Sequence, residues 1–374
     1  MASNYLTSTA ASSTSWATAA NWSGLAVPVS TDTTTVDQSA AQIDTGLGQQ
    51  AVTLTKLTIP LTFTGTVGLA ATSNTAKSVS SITRSSSTAT VTTATAHGYA
   101  TGDSVVISGA VESDYNGTYS ITSTGTTTFT YTVANTPSTP ATGTIICRRH
   151  HALCIGATTF RYGDPGTGAT AAAGSGRISV DFGSVQTAAT IVSTKTSGTD
   201  SNLEPVRLLG SHASNTLTVN GGLVGVATTT PTETATLATI NVTGGTLNGG
   251  PGLTWTDINQ TGGTINLNCG ASGSSDVNQS AGTCTINGAG TIVNITVAGT
   301  MKLNVRKASA GDTITGTLQV LDGGVLDFSG NPANISITTL RVTGEVTIRR
   351  NQANPGHVSW TTLTQDPGSS IKFE

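Results

Sequence analysis

Charge is scarce in this sequence. Its 374 residues hold 16 Lys and Arg, 19 Asp and Glu and 5 His, so 9% are charged and the formal net charge is -3. Average soluble domains carry roughly 25% charged residues, so this surface must be polar through hydroxyls and amides. With no dense basic run, the electrostatic footprint of a general nucleic-acid binder is missing. Long apolar runs are missing too. None reaches the roughly 18 residues of a membrane span, and Met1 to Ser13 has neither the basic nor the apolar region of a signal peptide. The expectation is a protein made in a cytoplasm, with no nucleic acid and no membrane among its partners. Four Cys are too few for a disulfide framework at this length. Aromatics are only 4%.

Threonine is abundant, at about one residue in five, and 44 residues are Gly. β-Branched residues disfavour helix and suit a pleated surface, while Gly and Asn punctuate turns. The hydrophobic share of 36% recurs regularly, which argues against disorder. The reading is all-β, with many short strands.

The last 160 or so residues repeat themselves. Ile240-Asn-Val-Thr-Gly-Gly-Thr-Leu247, Ile258-Asn-Gln-Thr-Gly-Gly-Thr-Ile-Asn-Leu267 and Val277-Asn-Gln-Ser-Ala-Gly-Thr-Cys-Thr-Ile286 share one plan. A short alternating strand meets a Gly bend, and a second alternating strand follows. The bend glycines Gly222, Gly245, Gly263, Gly282, Gly299, Gly324 and Gly344 are 17 to 25 residues apart, a solenoid signal. After the bends, the pairs Val224/Val226, Ile265/Leu267, Cys284/Ile286, Met301/Leu303, Leu326/Phe328 and Val346/Ile348 should point inward. The residues between them (Gly225, Asn266, Thr285, Lys302, Asp327 and Thr347) should point outward. The expected fold is a right-handed parallel β-helix, with Leu267, Ile286, Leu303, Phe328 and Ile348 stacked as one buried ladder. A leucine-rich repeat is not expected, because its Leu-x-x-Leu-x-Leu signature is absent.

Residues 78–147 have a different texture. Strands such as Thr128-Phe-Thr-Tyr-Thr-Val133 alternate with turn signals at His97-Gly98 and Asn116-Gly117, and four of the six Tyr lie here. This predicts a small β-barrel or sandwich inserted in a solenoid loop. The domain expectation is therefore 1–77 for an N-terminal cap and first coils, 78–147 for the insert, and 148–374 for the main solenoid.

The insert carries His97-Gly-Tyr-Ala-Thr-Gly-Asp-Ser-Val-Val-Ile-Ser-Gly109, Tyr115-Asn-Gly-Thr-Tyr119 and Phe129-Thr-Tyr131. It resembles a small β-module common in tailed-phage structural proteins. Trp16, Asn21, Trp22, Pro28 and Asp32, with the Gly-Gly-x-Leu-Asp-Phe rung at 323–328, are similar to β-helical phage virion proteins. The two resemblances span about half the chain. They imply a virion protein that associates as a homotrimer along its long axis.

Candidate chemistry is thin. Glycoside hydrolysis needs two carboxylates roughly 5–10 Å apart. Asp257, Asp276, Asp312, Asp322, Asp327 and Glu345 are the solenoid acids, with Asp327 and Glu345 placed to approach on adjacent coils. Their bland reading is solvent-facing acids that discourage edge pairing. Cys147-Arg-Arg-His-His-Ala-Leu-Cys154 is the densest heteroatom cluster. It admits a zinc site, a local disulfide or an ordinary junction returning from the insert. The adjacent His150 and His151 should point to opposite sides, which favours the junction. Cys284 reads as a core thiol, and a bond from it to Cys269 stays open. Gly249-Gly-Pro-Gly-Leu-Thr254 begins like a calcium turn but has Thr254 where Asp is needed.

No catalytic, metal or cofactor residues are therefore expected. The expected function is a non-enzymatic capsid decoration or cement protein, bound to the major capsid protein or other virion proteins. The alternative is a tail fibre or tailspike acting on host glycans. A bacterial adhesin would need an export route that the sequence does not show. Trp16 and Trp22 are the candidate partner-binding residues, since Trp is favoured at binding hot spots. Both would equally serve as plugs of the first coil. The insert, with Tyr99 and Tyr115, is expected to face outward as a free module.

Overall fold

A computed structural model describes residues 3–7, 13–37, 41–69, 75–163, 177–192, 204–228, 233–269, 275–288, 291–303, 312–329, 334–351, 353 and 358–374. The described residues are all-β, with single 3-10 turns at Ala19–Asn21 and Ser113–Tyr115. No helix among them is long and apolar enough to cross a membrane. The chain divides into two compact units. The first is Met1–Thr159 with Ala172–Val185 and Ser197–Asn202; the second is Phe160–Ala171, Gln186–Thr196 and Leu203–Glu374.

In the second unit the repeats become two parallel ladders. One runs from Ala188–Ile191 and Thr216–Val219 through Ala235–Val242 and Leu253–Gln260 to Val358–Gln365. Its register stacks Ala189, Leu217, Ile240, Ile258, Val277, Ile295, Leu318, Leu340 and Leu363 in one column. The other runs from Val206–Ser211 and Leu223–Val226 to Ser370–Phe373. It stacks Val206, Val224, Leu247, Ile265, Cys284, Met301, Leu326, Ile348 and Phe373. Column members from Leu217 to Leu340 and from Val206 to Ile348 are buried. Each such aliphatic side chain contributes about 1.5–3 kcal/mol of burial free energy.

The bends explain the glycines. Gly245 and Gly263 have φ of 74° and 69°, a region that L side chains avoid. They also stack on one another's corners. A Cβ on Gly263 would lie 2.5 Å from the Gly245 carbonyl oxygen. At the bend after Val320 the left-handed residue is Gly323 rather than Gly324.

Two expectations about the rungs need correction. Ile348 is opposite Leu326, not Phe328, so the last expected pairing slips by two residues. The cause is where the glycine sits within the corner. Corners vary in length, with Gln260 and Gln279 four positions before Thr264 and Thr283 but Val320 and Val342 five before Val325 and Thr347. Within these last two, equal corners Gly324 is four positions after Val320 and Gly344 only two after Val342, so aligning the glycines shifts the last rung by two. Gly225 and Asp327 were expected to face outward, yet both are buried. Gly225 is covered by Glu204, whose carboxylate a Cβ there would meet at 2.6 Å. Asp327 accepts from the Ser329 backbone N–H and faces Arg349 at 3.9 Å. The side chains of Lys302 and Leu303 lie outside the described residues, although their backbones keep register with Thr285 and Ile286.

Amide ladders run across the parallel strands. Asn278 donates to Asn259, and Asn259 to Asn241, at 3.3 and 3.1 Å. Asn266 donates to Asn248 at 3.1 Å. Inside, Gln260 and Gln279 take column positions held by Val242 and Val297 in neighbouring coils and are 1% exposed. Each donates to the bend carbonyl of its own coil and to a Thr carbonyl of the next, at 3.0–3.2 Å. Buried amides must be paired in this way to be tolerated.

The first unit opens with parallel pairing at once. Ser3–Tyr5 pairs with Thr33–Thr35, which pairs with Gly48–Ile59. Part of the expected cap is thus itself paired in parallel strands. Strands Lys77–Ser85, Thr88–Thr93, Ser104–Ala110, Gly117–Ser120, Thr122–Ser123, Thr128–Thr132 and Gly143–Arg149 pair antiparallel. The two end strands of that order, Gly117–Ser120 and Thr122–Ser123, are joined through the single buried residue Ile121. Tyr99 and Tyr115 lie in the core of this module. Tyrosine hydroxyls donate to backbone carbonyls: Tyr115 to Ser138, Tyr119 to Asp114 and Tyr131 to Tyr115. The module is not free. The Gly48 N–H donates to the Gly102 carbonyl at 3.0 Å, and the Gln50 amide to the Ser104 hydroxyl at 2.8 Å.

Candidate functional site

The densest chemistry lies where the chain leaves the module. Gly143–Arg149 ends an antiparallel strand, and Leu153–Tyr162 begins a parallel one. Between them His150 donates its backbone N–H to the Ser104 carbonyl at 2.7 Å. This fixes the imidazole over the start of the new strand. Cys154 is in register with Asp181 of the neighbouring strand Ile178–Asp181. Register partners in parallel strands share a face. Cys154 and Asp181 therefore meet, and His150 closes on both.

The His150 Nε2 to Asp181 Oδ2 distance is 2.8 Å, and His150 and Cys154 are buried. Asp181 Oδ1 accepts the Gly183 backbone N–H at 2.8 Å. Cys154 Sγ donates to Ser104 Oγ at 3.2 Å. Beside this group, Arg149 reaches Asp103 at 2.7 Å in a separate ion pair. Burial disfavours the imidazolium, but the Cys154 sulfur and the Asp181 carboxylate outweigh it and hold the His150 pKa well above the ordinary value. Burial likewise works against the Asp181 carboxylate. The His150 hydrogen bond and charge and the Gly183 N–H prevail and keep its pKa below the usual range. One imidazole, one sulfur and one carboxylate thus converge, with all three donor atoms within 4.8 Å of one another.

The residue types are those of a thiol-hydrolase triad. The geometry does not serve that chemistry, because Cys154 is 3% exposed and its Sγ is engaged with Ser104. Nor do the two cysteines of the junction pair. Cys147 and Cys154 are both free thiols, as are Cys269 and Cys284. Cys147 belongs to the module core beside the Tyr99 hydroxyl. The two histidines do not point to opposite sides either. Their rings meet edge to face with centroids 5.3 Å apart, because the backbone at 150–151 is not in a strand. Asp181 was missed in the sequence. It is 27 residues from Cys154, and only the strand register brings the two together.

Trp16 and Trp22 are both 0% exposed. Their rings meet edge-on with centroids 4.7 Å apart, and Trp22 Nε1 donates to the Trp16 carbonyl at 2.9 Å. Both rings lie in the buried interior, not at the surface of the chain. Asp32 is held by the Asn4 amide at 2.7 Å.

Asp327 and Glu345 do not approach one another on neighbouring strands as expected. Asp327 is in register with Arg349 and faces it, four residues along the strand from Glu345, whose backbone N–H donates to Asp322 at 2.9 Å. Asp257 and Asp276 are register partners on adjacent coils, and Asp276 accepts from Asn294. The side chain of Asp312 lies outside the described residues. No protein-family model, curated protein or solved structure matches the chain. The likeness to phage virion proteins stands on the quoted residues alone.

Proposed function

We propose that the protein is a non-enzymatic structural protein of a phage virion, a decoration or cement protein on the outer capsid surface. In this reading the parallel ladders wind as a right-handed β-helix, the hand favoured by parallel crossovers. The antiparallel strands between Lys77 and Arg149 form a small barrel or sandwich inserted in that winding. The chain assembles as a homotrimer and binds the major capsid protein or other virion proteins.

One observation carries the reading. Polar side chains along the ladders are engaged with neighbouring coils: Asp276 with Asn294, Asp322 with the Glu345 N–H, and Asn278 through Asn259 to Asn241. Such an arrangement suits a scaffold, whose polar surface holds the scaffold itself together. A tail protein that binds host glycans is the second reading. It is favoured by the parallel ring pair Trp360 and Phe373, with centroids 6.3 Å apart, where Phe373 is 41% exposed.

Counting copies of the chain in purified particles separates the two. Hundreds of copies are expected for a capsid protein; a few trimers would move the assignment to the tail. Incubation with host surface polysaccharide should release no reducing sugar, and measurable release would overturn the non-enzymatic reading. Native mass measurement at micromolar concentration should give a trimer, and a stable monomer would remove that element.

A further inference from the structure

We propose that His150, Cys154 and Asp181 form a binding site for a divalent transition metal, with zinc as the best-suited ion. The ligands are an imidazole nitrogen, the Cys154 Sγ and a carboxylate oxygen of Asp181. This set differs from the four-residue cluster visible in the sequence, because Cys147 is committed to the module core and Asp181 takes a place.

Three observations converge on it. The donor atoms all lie within 4.8 Å of one another. Around a tetrahedral zinc, with bonds of about 2.0–2.3 Å, ligand atoms sit roughly 3.3–3.8 Å apart. The His150–Asp181 contact of 2.8 Å must therefore open slightly to admit the ion. Second, the donors are positioned by backbone. Cys154 and Asp181 are register partners, and the His150 N–H is tied to the Ser104 carbonyl. Third, the charges balance. A thiolate and a carboxylate neutralise a dication, while the neighbouring Arg149–Asp103 pair is already matched. A nitrogen, sulfur and oxygen donor set favours zinc over magnesium or calcium, which prefer oxygen alone.

Binding replaces the Cys154 thiol proton and the proton shared by His150 and Asp181, both released to solvent. Three protein ligands leave a fourth position for water. Water can reach it past Asp181, whose side chain is 19% exposed. The ion would fasten the strand that leaves the module to the strand beside it, so binding energy becomes folding energy.

The test uses the full chain, stripped with chelator and titrated with Co²⁺ and then Zn²⁺. One equivalent of Co²⁺ should bind, giving visible d–d bands of low coordination number and a near-ultraviolet sulfur-to-cobalt charge-transfer band. Zinc should displace cobalt and raise the unfolding temperature. Cys154→Ser should abolish the charge-transfer band, while Cys284→Ala should leave it intact. Asp181→Asn should weaken binding at least about tenfold, as loss of a ligand must exceed the 10–100-fold range of outer-shell changes at its low end. Circular dichroism checks that each variant folds. If Cys154→Ser does not fold, the wild-type titration still decides. Absence of a stoichiometric cobalt–sulfur band in the folded wild type would overturn the site, as would its persistence in folded Cys154→Ser. Neither result bears on the copy number in particles, so the metal site and the virion reading stand or fall separately.

Discussion

The antiparallel module at 77–149 and the parallel ladders of 204–374 both bury apolar columns between short strands, but they secure them differently. In the module each strand meets a different neighbour, and the core mixes Ile82, Val91, Tyr115, Phe129 and Tyr131. Single hydroxyl-to-carbonyl bonds, such as Tyr115 to Ser138 and Tyr131 to Tyr115, fix the rings. In the ladders one rung resembles the next, and Asn stacks on Asn and Gln on Gln. Error tolerance follows from this. Loss of one ring in the module removes a unique contact, whereas a fault in a ladder interrupts a column shared by every coil on either side.

The strongest way to break the comparison is a charge in a column. Ile265→Asp places a carboxylate between Leu247 and Cys284, where both flanking side chains are fully buried. An unpaired buried charge is not tolerated, so the ladder should not fold. Soluble yield and far-ultraviolet circular dichroism check this, and a native-like spectrum would refute the column. A milder test is Phe129→Ala in the module. It should cost about 3–5 kcal/mol, with fast amide exchange confined to 77–149 and ladder amides still protected. Simultaneous loss of protection in both would show that the two regions unfold as one.

Smaller effects sharpen the contrast. Gln279→Val supplies the residue found one coil on, at Val297. It also leaves the carbonyls of Gly282 and Thr300 without the amide donor. A loss of about 1–3 kcal/mol in denaturant unfolding is expected. No loss at all would mean that the column prefers an aliphatic residue there. Tyr119→Phe removes a hydroxyl that donates to Asp114 and Asn116. It should cost about 1 kcal/mol.

The smallest expected effect is the absence of reaction at Cys284. Burial pushes its thiol up to about 12, so iodoacetamide at mild alkaline pH should leave it unmodified in the native protein. The sign of the linked stability is fixed. An unfolded thiol ionises near about 8.5, and the folded one holds its proton to higher pH. This contribution is therefore intact below that pH and is lost as pH rises toward the folded value. Rapid native-state alkylation of Cys284 would show that the column opens.

The ladder region was legible because its chemistry is periodic. Alternation around each Gly bend assigned Ile265, Leu267, Cys284 and Met301 to the interior before any coordinates, and all four are buried. The amide stacks escaped notice, although Asn241, Asn259 and Asn278 follow the same period. Polar residues in a repeat read as surface until the register shows each one bonding to the next. The junction was half legible. His150 and Cys154 stand out in the sequence, but Asp181 joins them only through strand pairing. Trp16 and Trp22 admitted two readings for a different reason. A pair of large rings in an aromatic-poor chain suits a binding surface and a plug equally well, and only burial separates the two.

The varying corner has a consequence of its own. Val297 is three positions before Thr300, Val320 five before Val325, Val342 five before Thr347 and Gln365 seven before Lys372, yet the strands on both sides stay aligned. Extra residues behave like a dislocation in a crystal: they are expelled to one edge, and the lattice planes close again beyond it. A length change at that edge therefore need not be answered by a matching change elsewhere. Along this edge the sequence is free to drift in length, and novel peptide can be accommodated there while the columns remain in phase.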